Sequence, residues 1–225
     1  MPTDNRRGGW TLAVEVEGRT SSGHAEDDAA WTARDREPSG GFEGDFDTRR
    51  LRDTLGRFAT GVVAITGRDA TTGAPVGLAA NSFTSVSLEP PLVSFCVAHT
   101  SSSWPVLRAS HGQVVNILGA DQEQACRQMA AKGGDKFTGL DIAPSPRGNP
   151  VLTGALAWLE CDVETEHVAG DHLIVVARVG HLRLGDDARP GPLVFYGGSY
   201  GRFRPDAPSA PETPVYSRAA HPPYR

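Results

Sequence analysis

The sequence predicts a mainly β fold, a small barrel carrying short helices. Three observations point there. Short β-branched runs recur along the chain, each bounded by Gly, Pro, Asp or Ser. Two of them, "ALAWLECDVETEHV" and "HLIVVARVGHLRL", are long and flank the turn "AGDH", as the arms of an antiparallel hairpin do. No strand–helix–strand alternation appears, and no G-x-G-x-x-G, which disfavours a parallel dinucleotide-binding sheet.

The elements follow in order. Asp47 or Thr48 is placed to cap a helix running to Phe58, with Leu51, Leu55 and Phe58 on one face. "GVVAITG" is a strand, "RDATTGAP" a turn, and "VGLAANSF" the returning arm of a hairpin. "PPLVSFCVA" reads as a buried strand, where proline at the start costs no ladder bond. "SSSWPVLRAS" predicts a short helix over 102–110, with a Ser cap and Pro105 in its first turn. "QVVNIL" is a strand, and "DQEQACRQMAA" a helix ending before Gly133 and Gly134. The long hairpin comes next, and "PLVFYGG" is the last strand.

The formal charge of -5 is unevenly spread over the 225 residues. Residues 1–45 hold ten acidic and five basic side chains, whereas 46–225 hold seventeen of each. Residues 1–45 therefore read as a poorly ordered acidic extension, in which "GWTLAVEVEGRT" alone alternates like an edge strand. Residues 205–225 read as a Pro-rich tail, and 46–204 as one domain. A charge-balanced body without a basic stripe argues against nucleic acid as a partner. It leaves a phosphorylated small ligand open, because backbone N–H groups can hold phosphate. Three scattered cysteines suggest neither a disulfide framework nor a zinc site, and fit a reducing cytoplasm. No signal-peptide pattern and no apolar run of roughly 20 residues are visible, so no membrane span is expected. His99, His111, His167 and His181 form no pair at ligand spacing, and no metal site is expected. No nucleophile elbow or Ser-His-Asp order supports hydrolysis.

The stretch "GLAANSFTSVSLEPPLVSF", Gly77 to Phe95, crowds Asn81, Ser82, Thr84, Ser85 and Ser87 where a strand should bury aliphatics. A second polar cluster, "HTSSSW", follows the next strand. Hydroxyls, an amide and the N–H groups of a helix start are fixed donors suited to a phosphate or flavin. The plainer reading is that both clusters only cap strands and helices. Three further places carry two readings each. Asp171 and His172, at the hairpin tip, are either solvated loop residues or groups reaching into a pocket. Lys132, Lys136 and Phe137 either close a helix C-terminus or approach a ligand. Tyr196 and Tyr200, among glycines, are either strand and turn or an aromatic cover.

Taken together these blocks resemble the short-chain flavin reductases, which have an FMN-binding split barrel. The resemblance runs in chain order through "RFATGVVAITG", "GLAANSFTSVSLEPPLVSFCV", "VVNIL", "DKFTGL", "GNPVLTGALAWLECDV", "GDHLIVVARV" and "PLVFYGGSYGRF". It implies a homodimer with two flavin sites at the subunit interface. It implies that Ala80, Asn81, Ser82 and Phe83 line the ring and ribityl chain, and that Cys96 and Val97 lie along the ring. Ser101, Ser102 and Ser103 would hold the phosphate, with Lys132 as a neighbour. Phe137 would approach from its loop and Tyr200 would help close the site. His172, with Asp171, would sit where nicotinamide docks. Ala79 stands where many members have Thr. The resemblance implies an NAD(P)H:flavin oxidoreductase that reduces FMN or FAD with NADH or NADPH. Reduced flavin would pass to a separate monooxygenase. Two alternatives stand beside it: an oxidase or monooxygenase of the same fold holding its flavin tightly, and a non-catalytic flavin- or haem-binding protein. The extension and the tail fall outside the family pattern.

Overall fold

The computed structural model describes residues 47–185 and 191–204. The acidic extension, its alternating stretch and the Pro-rich tail lie outside those residues. The first helix begins at a capping carboxylate: Asp47 accepts from the Arg50 N–H at 2.7 Å and opens α1 (Thr48–Leu55). It stops before Phe58, and its apolar face meets solvent, with Leu55 63% and Phe58 75% exposed.

β1 (Thr60–Gly61) leads into β2 (Val63–Arg68), and β3 (Pro75–Ala80) returns beside it as the predicted hairpin. Asp69 closes that turn by accepting from the Thr71 and Thr72 N–H groups at 2.7 and 3.0 Å. The polar run that follows is itself a strand, which the sequence did not predict. β4 (Thr84–Leu88) pairs with β5 (Pro91–Ala98), with a bulge between Ser85 and Ser87. As an edge strand it keeps its hydroxyls wet and needs no buried alternation. α2 (Trp104–Arg108) is shorter than the expected 102–110. β6 (Gln113–Ile117) and α3 (Glu123–Ala130) fall where expected. A small unpredicted hairpin, β7 (Ile142–Pro144) with β8 (Pro150–Leu152), comes next. β9 (Ala157–Ala169) and β10 (His172–Leu184) form the long hairpin, with Gly170 at positive φ in its turn. β11 (Leu193–Tyr196) is followed by β12 (Ser199–Arg202), also unpredicted. Gly197 and Gly198, at φ 55° and 79°, make the two-residue turn between them.

The main sheet has seven strands in the order β3-β2-β6-β9-β10-β5-β4. One face of nearly all of them meets in a single core: Ile65, Leu78, Phe95, Val97, Val115, Cys161 and Val175, with Trp104 and Leu107 from α2. A single sheet can enclose such a core only by curling. Its two edges are not hydrogen-bonded as a ladder, so the barrel stays split rather than closed. A second core lies on the outer side of β2 and β3, where Cys126 and Met129 of α3 pack with Ala64, Phe137 and Leu193. α3 can lie so close because Gly77 has no side chain: a Cβ there would sit 2.5 Å from Met129 Sδ.

β5 alternates strictly. Val93, Phe95 and Val97 are buried in the barrel, while Leu92, Ser94, Cys96 and Ala98 are half-exposed on the opposite face. Cross-strand partners share a face, so Ile174 joins Cys96 and His172 joins Ala98 on that outer wall. Among the described residues no helix is long and apolar enough to cross a membrane.

Candidate functional site

Four separate segments converge at one end of the split: 77–83, 96–103, 136–137 and 171–173. Ser82 makes the first link. Its Oγ accepts from the Cys96 N–H at 2.8 Å and donates to the Cys96 carbonyl at 3.3 Å. These bonds extend the β4–β5 pairing, which starts at Thr84 opposite Ser94, back to where the chain leaves β3. Asn81 stands exposed beside this link, and its amide makes no hydrogen bond among the described residues. The half-exposed Cys96 lies on the outer wall with Ile174 opposite.

The hairpin tip supplies the second link. The His99 N–H donates to the Asp171 carbonyl at 3.1 Å, which holds the tip against the turn after β5. His172 Nδ1 lies 2.7 Å from Asp171 Oδ1. That hydrogen bond holds the exposed Asp171 carboxyl below the usual range. The turn itself, His99 to Ser103, runs into α2. Ser101 Oγ accepts from the Trp104 N–H at 3.3 Å, Ser102 is exposed and Ser103 is buried. Thr100 Oγ1 is buried without a hydrogen-bond partner among the described residues. Glu166 of β9 anchors α2 by accepting from Trp104 Nε1–H at 3.0 Å and pairing with Arg108 at 2.9 Å. A cleft of about 250 Å³ opens between α2 and the tip, lined by His99, Ser101, Pro105, Arg108 and Leu173.

Lys136 makes the third link; the sequence leaves it as either a helix-end cation or a ligand neighbour, and the family resemblance gives it no role. Its Nζ donates to the carbonyls of Gly77 and Met129 at 3.1 and 3.0 Å and to Ser103 Oγ at 3.0 Å. One side chain thus joins β3, the last turn of α3 and the start of α2. The bond to Met129 is the helix-end contact expected of a lysine there. Burial pulls its pKa below the usual lysine value.

Side-chain parity sorts the remaining residues. Ala80, Phe83 and Val97 pack on the barrel core, so Ala80 and Val97 present main chain rather than side chain to the outer wall. Ala79 turns the other way, toward the α3 core, as a Thr hydroxyl at that position would. Phe137 is buried in that second core against Gly77. Lys132 is exposed beyond α3. Tyr200 packs on the same second core. Cys126 Sγ lies 3.3 Å from its hydroxyl, Arg127 sits 4.7 Å over its ring, and Phe195 meets it edge-on. Burial, then the Cys126 contact, raises the Tyr200 pKa. Its ring therefore fastens the last hairpin to α3.

Chemically, the outer wall mixes polar Ser94 and Cys96 with apolar Leu92, Ala98 and Ile174, and a cation lies beside one end of it. Asn81 offers an unused amide, Thr100 an orphaned hydroxyl, and Lys136 a charge that no carboxylate neutralises among the described residues. A flat polar ring with a phosphate tail fits that set of groups. No group of three or more metal-ligating side chains occurs among the described residues.

The family model described as "Flavin reductase like domain" matches residues 55–204. The reductase subunit HsaB of a flavin-dependent monooxygenase from Rhodococcus jostii is 44% identical over 160 residues, covering 71% of this chain and 80% of that one. The FMN reductase (NADH) SmoA of Agrobacterium fabrum is 40% identical over 159 residues, covering 69% of this chain and 86% of its own. Among solved structures, the Streptomyces globisporus NADH:FAD oxidoreductase SgcE6, in complex with NAD and FAD fragments, superposes with a TM-score of 0.66. It is 38% identical, and the match covers 72% of this chain and 96% of that one.

Proposed function

Because the chain belongs to the flavin reductase like family, we propose that it is an NAD(P)H:flavin oxidoreductase that supplies reduced FMN or FAD to a separate monooxygenase. The observation that carries this reading is the outer wall around Cys96, bordered by the exposed Asn81 amide and ending at the Thr100–Ser103 turn beside Lys136. When bound, a flavin supplies an acceptor for the nicotinamide hydride, a step that needs two stacked rings and little acid–base help.

The residues have separable tasks. Asn81 and the Ser82–Cys96 link orient a polar ring edge. The serine turn holds the phosphate. Cys96 and Ile174 give the ring an unchanging floor. His172, held at Nδ1 by Asp171, lies at the rim and orients the nicotinamide. The outer wall is completed by a second subunit, since a homodimer covers the exposed apolar side chains there. Three free thiols support a reducing, cytoplasmic setting.

The test is oxidation of NADH and NADPH, followed by absorbance, with and without added FMN, FAD or riboflavin. Oxidation that rises and saturates with added flavin supports a reductase that treats flavin as a diffusible substrate. Absence of oxidation with every flavin overturns it.

A further inference from the structure

We propose that Lys136 is a positioning residue for phosphate: it sits behind Ser103 and sets that hydroxyl as a donor toward the phosphoryl group of the flavin. The inference rests on the flavin reading of the site given above.

An ammonium has three N–H donors. Those of Lys136 are taken by Gly77 O, Met129 O and Ser103 Oγ, all of them neutral. Its charge is therefore held in place but not cancelled, and burial has already removed part of its hydration. A helix-end contact explains the bond to Met129 and nothing more. Ser103 is 8% exposed, and its oxygen already accepts from Lys136. Its own proton must then point away from the ammonium, and no acceptor among the described residues takes it. Three residues earlier, Thr100 Oγ1 is a second buried hydroxyl without a partner. A donor hydroxyl without an acceptor at Ser103, backed by an uncancelled cation, suits an anionic acceptor oxygen. A phosphoryl group has that chemistry, and hydrogen bonds to such an anion are among the stronger ones. Lys136 cannot spare an N–H for the ligand, so it acts through Ser103 and through its field. Lys132, implied by the resemblance as the phosphate neighbour, is not needed for this.

The experiment compares FMN with riboflavin, which differ by the phosphate alone. Equilibrium titration of flavin fluorescence is run on the full chain, as wild type, Lys136→Met, Lys136→Arg and Ser103→Ala. Wild type should prefer FMN, and inorganic phosphate should compete with FMN. Lys136→Met should lower the FMN-to-riboflavin affinity ratio roughly tenfold to a hundredfold, and Lys136→Arg should restore most of it. A merely structural lysine would weaken both ligands alike and leave the ratio unmoved, which overturns the proposal. Should Lys136→Met not fold, Ser103→Ala decides, because it keeps the two carbonyl contacts of the lysine. An unchanged ratio in that variant overturns the proposal too. If wild type binds neither flavin, the site reading itself has failed. If it binds both equally, only the proposal has.

Discussion

Replacing Ser82 by alanine should loosen the seam of the barrel. The hydroxyl makes two bonds to one residue, accepting from the Cys96 N–H at 2.8 Å and donating to its carbonyl at 3.3 Å. Alanine leaves both main-chain groups without that partner. A net hydrogen bond contributes about 1 kcal/mol, and a buried group left unpaired costs about 1–3 kcal/mol. The link is half-buried, so water recovers part of the loss, and about 1–2 kcal/mol is expected. For a domain of this size that is a fall in Tm of about 2–8 °C. The β4–β5 ladder begins only two residues on, at Thr84 opposite Ser94, so the loss is local; Asn81, next to Ser82, should also lose its place and flavin affinity should drop. Urea unfolding followed by tryptophan fluorescence measures the first effect, and flavin titration the second. Ser82→Thr keeps a hydroxyl and should behave nearly as wild type. An alanine variant as stable as the threonine one, with unchanged flavin affinity, would refute the seam argument.

Three other outcomes are expected. His172→Ala should lower kcat/KM for NADH-dependent flavin reduction about tenfold or more, and Asp171→Asn less, because only the orienting contact changes; unchanged kinetics in His172→Ala would end its proposed role. Mild alkylation of the native protein near neutral pH should modify Cys96 first, and FMN should protect it. Cys126 and Cys161 are buried, with burial raising the thiol pKa of both, that of Cys161 to about 12; rapid labelling of either in folded protein would contradict the structure. The Arg147 hydrogen bond lowers the Asp162 pKa. A carboxyl whose folded pKa lies below its unfolded value, roughly 3.9, stabilises above that value and loses this as pH falls through the folded pKa. Asp162→Asn should therefore differ from wild type in urea midpoint near neutrality and converge with it in acid. A gap that persists at low pH would point to another cause.

Much of the fold was legible because pattern and period agree with it. The long β9–β10 hairpin, the β2–β3 hairpin and the Asp47 cap of α1 follow from local residues, whereas Ser103 at the start of α2 makes no capping bond and accepts from Lys136. β4 did not announce itself, because its apolar residues, Val86 and Leu88, alternate with serines over only a few positions and both are exposed. β12 did not stand out as a strand because the Gly-Gly stretch admits both strand-and-turn and aromatic cover, although two glycines between alternating residues are a hairpin turn signal. For the site, residue types were readable but directions were not. Val97 and Cys96 are neighbours in sequence and face opposite sides of a wall. Tyr200 looks like a lid until its partners, Cys126 and Arg127, are seen on α3. Lys136 could not be told from a helix-end cation, since its contacts with Gly77 and Ser103 span 59 and 33 residues of chain. No local window contains contacts of that separation. The apolar spacing of α1 was right, but periodicity does not say what covers a face, and Leu55 and Phe58 are bare.

The alternation of β5 also makes this protein divisible for an engineer. Ser94, Cys96 and Ala98 touch the wall where a ligand would lie, while Val93, Phe95 and Val97 hold the barrel together. A combinatorial library confined to the even positions would vary what the surface recognises and leave the packing vocabulary untouched. The same library on the odd positions would sample stability and little else. Eight consecutive residues thus carry two nearly independent design channels, interleaved one residue at a time.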